Sequence, residues 1–136
     1  MCVLMVEDEP LILMAVAECL ESAGHEVMTA EHGLEAITLI EQWPVKFSIL
    51  VTDYHMPQGV TGGQLVQQMR QSYPDIPMLI TTARPDVVTA EFRERHRVDV
   101  LFKPYDLNSL VATVERLLDR TPTEQSRAPK SDGLLS

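Results

Sequence analysis

The chain has 136 residues, with twenty Asp and Glu against eleven Lys and Arg for a net charge of −9; this length suits one domain with an ordinary core, and the acidic balance argues against nucleic-acid binding by the domain as a whole. No run approaches the roughly 20 apolar residues of a membrane helix, and no basic segment followed by a long apolar stretch opens the chain, so a cytoplasmic protein with no membrane partner is expected. Cys2 and Cys19 lack metal-ligand spacing and are expected to be buried free thiols in a reducing compartment.

Short apolar runs at 2–6, 26–30, 48–53, 77–82 and 98–102, rich in Val, Ile, Leu and Met, predict five strands. Helical patterns fall between them. Leu11 to Leu20 predicts a helix that stops at Gly24, and Leu34 to Ile40 a second that ends before Pro44. Leu65, Val66 and Met69 mark a third, closed by Pro74. A weaker fourth, with Val88 and Phe92 as its apolar positions, follows Pro85-Asp86, and a fifth runs from Asp106 or Leu107 to Leu118. Strict alternation of strand and helix predicts an α/β domain: a five-stranded parallel sheet, doubly wound, with helices on both faces. Residues 121–136 turn to Ser, Thr, Pro and charge, and a flexible C-terminal tail is expected there. Charge is uneven too. Residues 1–45 hold nine acidic residues and no Lys or Arg, whereas five of the eleven basic residues lie between Arg84 and Lys103; solvated helix faces or a role in choosing partners would both account for this.

Three of the runs end on charge. Val3-Leu4-Met5-Val6 meets Glu7-Asp8-Glu9, Ile49-Leu50-Val51-Thr52 meets Asp53, and the run at 98–102 meets Lys103-Pro104. An open parallel sheet collects its ligands at the carboxyl ends of its strands. If these strands are neighbours, Glu7, Asp8, Asp53 and Lys103 converge, and carboxylates that close together need a cation to stay ionised. Oxygen ligands of this kind suit Mg²⁺. A carboxylate, a divalent cation and a lysine together make a site for a phosphoryl group.

With Glu7-Asp8 after the first strand, Asp53-Tyr54-His55-Met56-Pro57 after the third, Thr82-Ala83 after the fourth and Lys103-Pro104 after the fifth, the chain resembles the receiver domain of two-component response regulators over residues 1–120. The resemblance implies a flavodoxin-like strand order, 2-1-3-4-5. It also implies that Asp53 accepts a phosphoryl group from a phosphohistidine on a sensor histidine kinase or histidine phosphotransfer protein. Asp8, Asp53 and the backbone carbonyl of His55 would ligate Mg²⁺ or Mn²⁺, with Glu7 holding a metal-bound water. Lys103 and the Thr82 hydroxyl would each meet a phosphoryl oxygen, and Lys103-Pro104 resembles the family's cis peptide. His55 and Arg84, two residues beyond Asp53 and Thr82, would border the path of the attacking water.

Some positions depart from the family's pattern. Val100 stands where receivers often carry an aromatic residue whose rotation couples to the Thr hydroxyl, which puts that switch in doubt. Arg95-His96-Arg97-Val98-Asp99 lacks a small Gly-Ala step, and the loop from Gln58 to Gly62 is one residue longer than the commonest form. The reading is a stand-alone receiver that catalyses only its own phosphorylation and dephosphorylation. It would signal to a downstream protein, or to a second copy of itself, through the face formed by helix four, strand five and helix five. Arg93, Arg95 and Arg97 there would favour an acidic partner.

Other readings compete. Phosphatases of the haloacid dehalogenase type place a second Asp two residues after the first, where this chain has His55. A dinucleotide or flavin domain would need a glycine-rich loop where Glu7-Asp8-Glu9-Pro10 repels phosphate. A degenerate receiver acting as a phosphorylation-independent binding module is the third alternative, although every acceptor-site residue is present. Single residues have plainer explanations as well: Glu9 as a charge at a helix N-terminus, Thr81 as strand surface, and His25, His32, His55 and His96 without metal-ligand spacing.

Overall fold

The computed structural model describes residues 2–42, 46–57 and 59–120. Strands and helices alternate throughout: β1 (Cys2–Val6), α1 (Pro10–Ser22), β2 (Glu26–Ala30), α2 (Gly33–Gln42), β3 (Ile49–Asp53), α3 (Gly62–Ser72), β4 (Met78–Thr82), α4 (Ala90–His96), β5 (Val98–Phe102) and α5 (Leu107–Arg120). The strands form one parallel sheet in the order β2-β1-β3-β4-β5. The expected strands therefore hold to within a residue at each end. The tail expected at 121–136 and the Pro44 expected to close the second helix lie outside the described residues.

Every residue of β1, β3 and β4 is buried, because helices cover both faces of the sheet. Side chains alternate between the faces. Leu4, Val6, Leu50, Met78 and Ile80 pack with Ala36 and Ile40 of α2 and with Leu65, Val66 and Met69 of α3. Val3, Met5, Ile49, Val51 and Leu79 pack with Leu13, Val16 and Leu20 of α1 and with Leu110, Val114 and Leu117 of α5. Continuous apolar runs in the three central strands follow from this two-sided burial. The outer strands β2 and β5 are only partly covered.

The fourth helix begins later than its sequence pattern suggests. Thr89 caps it, its side chain accepting a hydrogen bond from the Phe92 N–H, so Pro85-Asp86 lie in the preceding loop and Val88 is buried from that loop rather than from the helix. None of the seven residues of α4 is buried. Cys2 is buried as expected, but Cys19 is only partly so, because its place on α1 lies between the core stripe and solvent.

Arg70 ties the lower edge of the sheet together. Its guanidinium donates to the carbonyls of Tyr73 at 3.2 Å, Pro74 at 3.1 Å, Ile76 at 2.7 Å, His96 at 2.8 Å and Arg97 at 3.2 Å. The end of α3, the entry to β4 and the left-handed turn at Arg97 (φ 54°) thus share one cation. Burial, reinforced by the Arg97 charge, lowers its pKa to about 10, so it stays charged at neutral pH. Arg70→Ala leaves these carbonyls without their donor and is expected to cost about 2–4 kcal/mol. Lysine, with no planar fork, should restore less than half. Urea denaturation at pH 7 measures both, and an unchanged midpoint for the alanine variant would contradict this role.

Candidate functional site

The strand order places a topological switch at β1 and β3, so the crevice opens beyond their carboxyl ends. Register brings the functional side chains to the same edge. Val6 pairs with both Ala30 and Thr52, Asp53 pairs with Thr81, and Thr82 pairs with Phe102. The next residue along β1 is Glu7, and the next along β5 is Lys103.

Lys103 Nζ lies 3.1 Å from Asp53 Oδ2 and 3.5 Å from Glu7 Oε1. Glu7 is fully buried, Asp53 is nearly so, and Asp8 is exposed. One carboxylate oxygen from each of Glu7, Asp8 and Asp53 lies within 4.8 Å of the others. The Glu9 N–H donates to Glu7 Oε2 at 3.2 Å, while Glu9 itself is the exposed N-cap of α1 and stays outside the cluster. Burial, then the Asp53 charge, pushes the Glu7 carboxyl up to about 7 against the pull of Lys103. Burial likewise raises Asp53, opposed by Lys103. For Lys103, burial acts downward, but Asp53 and then Glu7 outweigh it and the net shift is upward.

Three carboxylates thus stand with one ammonium, which meets Glu7 and Asp53, and the excess negative charge favours the protonated form of Glu7. That excess, together with a donor set made only of oxygen, fits a hard divalent cation such as Mg²⁺ at Glu7, Asp8 and Asp53.

The loop after β3 is held close to the acidic cluster by a residue that sequence reasoning treated only as loop. A Cβ on Gly62 would stand 2.4 Å from the Asp53 carbonyl oxygen, and the Gly62 N–H donates to the Tyr54 carbonyl at 2.8 Å. Only glycine permits that approach. Thr61 and Gln64 form a capping box there, and the Thr-x-x-Gln spacing was the available signal.

The remaining predicted residues divide into those at the crevice and those turned from it. Thr82 is buried at the end of β4, its hydroxyl accepting the Arg84 N–H at 3.0 Å. Thr81 is also fully buried, so it belongs to the interior of the sheet rather than to its surface. The Arg84 guanidinium turns outward to Asp86 at 3.2 Å, both side chains being exposed. His55 is exposed on the loop after Asp53, its ring edge-on to Tyr54. Val100 is partly buried against the α2 and α3 side of the core, paired with Ile80. The Lys103-Pro104 peptide is cis. His25 meets Glu115, His32 accepts the Glu35 N–H, and the His96 ring packs at a tilt against Phe92, so these three take no part in the cluster.

An open parallel α/β domain with an oxygen-rich, lysine-bearing crevice at its switch point defines a class suited to cation-assisted phosphoryl chemistry. The response regulator receiver domain model matches residues 3–115, and the chain belongs to that family. The sensor kinase CckA of Brucella abortus (strain 2308) is 30% identical over 119 residues, which are 87% of this chain and 12% of that protein. The DNA-binding transcriptional regulator NtrC of Escherichia coli (strain K12) is 32% identical over 122 residues, 88% of this chain and 25% of that protein. The chain therefore spans a quarter or less of the length of these curated relatives. Among solved structures, the chemotaxis response regulator CheY4 of Vibrio cholerae is 28% identical with a TM-score of 0.75, covering 85% of this chain and 97% of that one. None of the described helices is long and apolar enough to cross a membrane.

Proposed function

We propose that Asp53 is the phosphoacceptor of this receiver, taking its phosphoryl group from a phosphohistidine on a sensor histidine kinase or a histidine phosphotransfer protein in the cytoplasm. The observation that carries this reading is the Asp53 carboxylate held 3.1 Å from Lys103 inside the cluster with Glu7 and Asp8. An Asp53 oxygen forms the new P–O bond as the donor's N–P bond breaks, and the imidazole keeps the electron pair. Asp8, Asp53 and the backbone carbonyl of His55 would hold Mg²⁺ or Mn²⁺, with Glu7 bound through a water. Such an ion supplies charge neutralisation between an anionic nucleophile and an anionic phosphoryl group.

The chain's own groups do the positioning. Lys103 already faces Asp53 and offsets the added charge on its side of the crevice. The Thr82 hydroxyl is bonded to the Arg84 backbone in this state. Turning it to a phosphoryl oxygen releases that backbone, and with it the loop leading into α4, the helix that has no buried residue. A change at Asp53 thereby reaches the face of α4, β5 and α5 without an aromatic residue at Val100, and a protein partner or second copy would read that face. The domain acts on no substrate beyond its own acceptor.

Incubation with acetyl phosphate and Mg²⁺, read by intact mass, tests the proposal. One phosphoryl group per chain is expected, and none with EDTA. No labelling in Mg²⁺ would leave a binding module only.

Arg84 should set the lifetime of the phosphorylated state. Its pairing with Asp86 is exposed to water on both sides, so the guanidinium can leave for a nearby phosphoryl oxygen and crowd the path of attacking water. Arg84→Ala is expected to shorten the half-life on the order of 2–5-fold, the scale of one charge-assisted hydrogen bond that is partly solvated. Asp86→Ala, which frees the arginine, should lengthen it. Equal decay of all three proteins after donor removal would rule out Arg84 as a shield.

A further inference from the structure

We propose that Tyr105 is a further positioning residue of this site, its hydroxyl serving as a hydrogen-bond donor that finds its partner only when the crevice is loaded. The partner is a ligand oxygen, belonging either to the phosphoryl group on Asp53 or to water carried by the cation. The inference deepens the acceptor reading above and rests on it.

The hydroxyl oxygen of Tyr105 is buried and has no hydrogen-bond partner among the described residues. Burying a hydroxyl unpaired is a net cost, and a phenylalanine would place the same ring there without it. The ring packs on the α1 and α5 side of the core, where Ile12 and Leu107 also lie, so packing accounts for the ring but not for its oxygen.

The side chain stands beside the crevice, lining one groove with Lys103 and Ala83. Burial first, then the Glu7 charge and more weakly that of Asp53, raises the phenol's pKa against the opposing Lys103. Its electrostatic neighbours are thus the groups that define the acceptor site, and the phenol keeps its proton as a donor. Thr81 is the other buried hydroxyl with no partner among the described residues, but it differs. It lies within β4 and takes no part in lining the groove that holds Tyr105 and Lys103.

The side chain also shares open space with the site. Tyr105, Lys103 and Ala83 line one groove of about 550 Å³ with Leu11, Ile12 and Ala15 of α1.

Tyr105→Phe tests this, with Tyr105→Leu reporting on loss of the ring. The ligand-free Phe variant should be at least as stable as wild type in urea, because it loses an unpaired hydroxyl. Its affinity for Mg²⁺ alone, or for beryllofluoride in saturating Mg²⁺, should fall about 3–10-fold, the range of one net hydrogen bond. Weakening already seen with Mg²⁺ alone assigns the partner to the cation's water, and weakening confined to beryllofluoride assigns it to a phosphoryl oxygen. In wild type, the NMR resonance of the hydroxyl-bearing ring carbon, assigned by its loss in the Phe variant, should shift in the same arm.

Two results would overturn the inference alone: undiminished affinities in the Phe variant, or a loss of ligand-free stability, which would show that the hydroxyl is already engaged. A wild-type protein that binds neither Mg²⁺ nor beryllofluoride defeats the acceptor reading, and this inference with it.

Discussion

Asp53→Asn is expected to fold as wild type does and to gain no phosphoryl mass from acetyl phosphate in Mg²⁺. The amide matches the carboxylate in size but is a poor nucleophile, so the expected loss of labelling is complete rather than partial. Stability should not suffer. Burial holds the Asp53 carboxyl above its ordinary range, and removing its charge relieves both burial and the repulsion felt by Glu7. The variant should therefore melt no lower than wild type in metal-free buffer, while its Mg²⁺ affinity drops with the loss of one oxygen anion. Intact mass, thermal melting and Mg²⁺ titration are the three measurements. A variant that still labels would move the acceptor elsewhere, and the exposed Asp8, within 4.8 Å of it, would be the first place to look.

The second large effect is a dependence of stability on pH that runs opposite to ordinary acid denaturation. Glu7 has its pKa lifted from 4.5 to about 7 in the folded protein. Between those values the folded chain keeps a proton that the unfolded chain releases. Its contribution to stability is therefore full below about pH 4.5, shrinks as pH rises, and is gone above about pH 7, for a change on the order of 1–3 kcal/mol. Asp53, also raised, acts in the same direction.

Metal-free protein should accordingly lose stability from pH 5 to pH 7.5, and Mg²⁺ should restore much of it at the upper end by neutralising the ionised cluster. Glu7→Gln should flatten the profile and remove most of the Mg²⁺ effect. Denaturation in urea at several pH values, with EDTA and with Mg²⁺, measures this directly. A metal-free profile that instead rises steadily from pH 5 to 7.5 would show that Glu7 is ionised in the folded protein throughout.

The strands were legible because two-sided burial leaves an unmistakable local record. β1 is apolar throughout and β3 and β4 are apolar over their first three residues, so short runs of Val, Ile, Leu and Met marked them to within a residue. The cluster was legible for a related reason: in a parallel sheet the carboxyl ends of the strands lie at the same edge, so Glu7, Asp53 and Lys103, at or just past those ends, share that edge once the strands are known to be neighbours. Local chemistry was harder to read at α4. The sequence pattern started the helix after Pro85-Asp86, whereas the Thr89 hydroxyl, accepting the Phe92 N–H, starts it at Ala90.

By itself, then, the sequence determined the alternation of elements, the two-layered covering of the sheet and the set of charges at its carboxyl edge, because each of these depends on periodicity or on position relative to a strand end. Only the tertiary structure decided which partners those charges and hydroxyls have. Arg70 gathers carbonyls from segments up to 27 residues away, Lys103 reaches Glu7 across 96 positions, and Gly62 is required by a carbonyl belonging to another element. Tyr105 buries a hydroxyl without a partner among the described residues for the same reason. A hydrogen bond depends on distances of about 3 Å between groups brought together by packing, and no local pattern records such a distance.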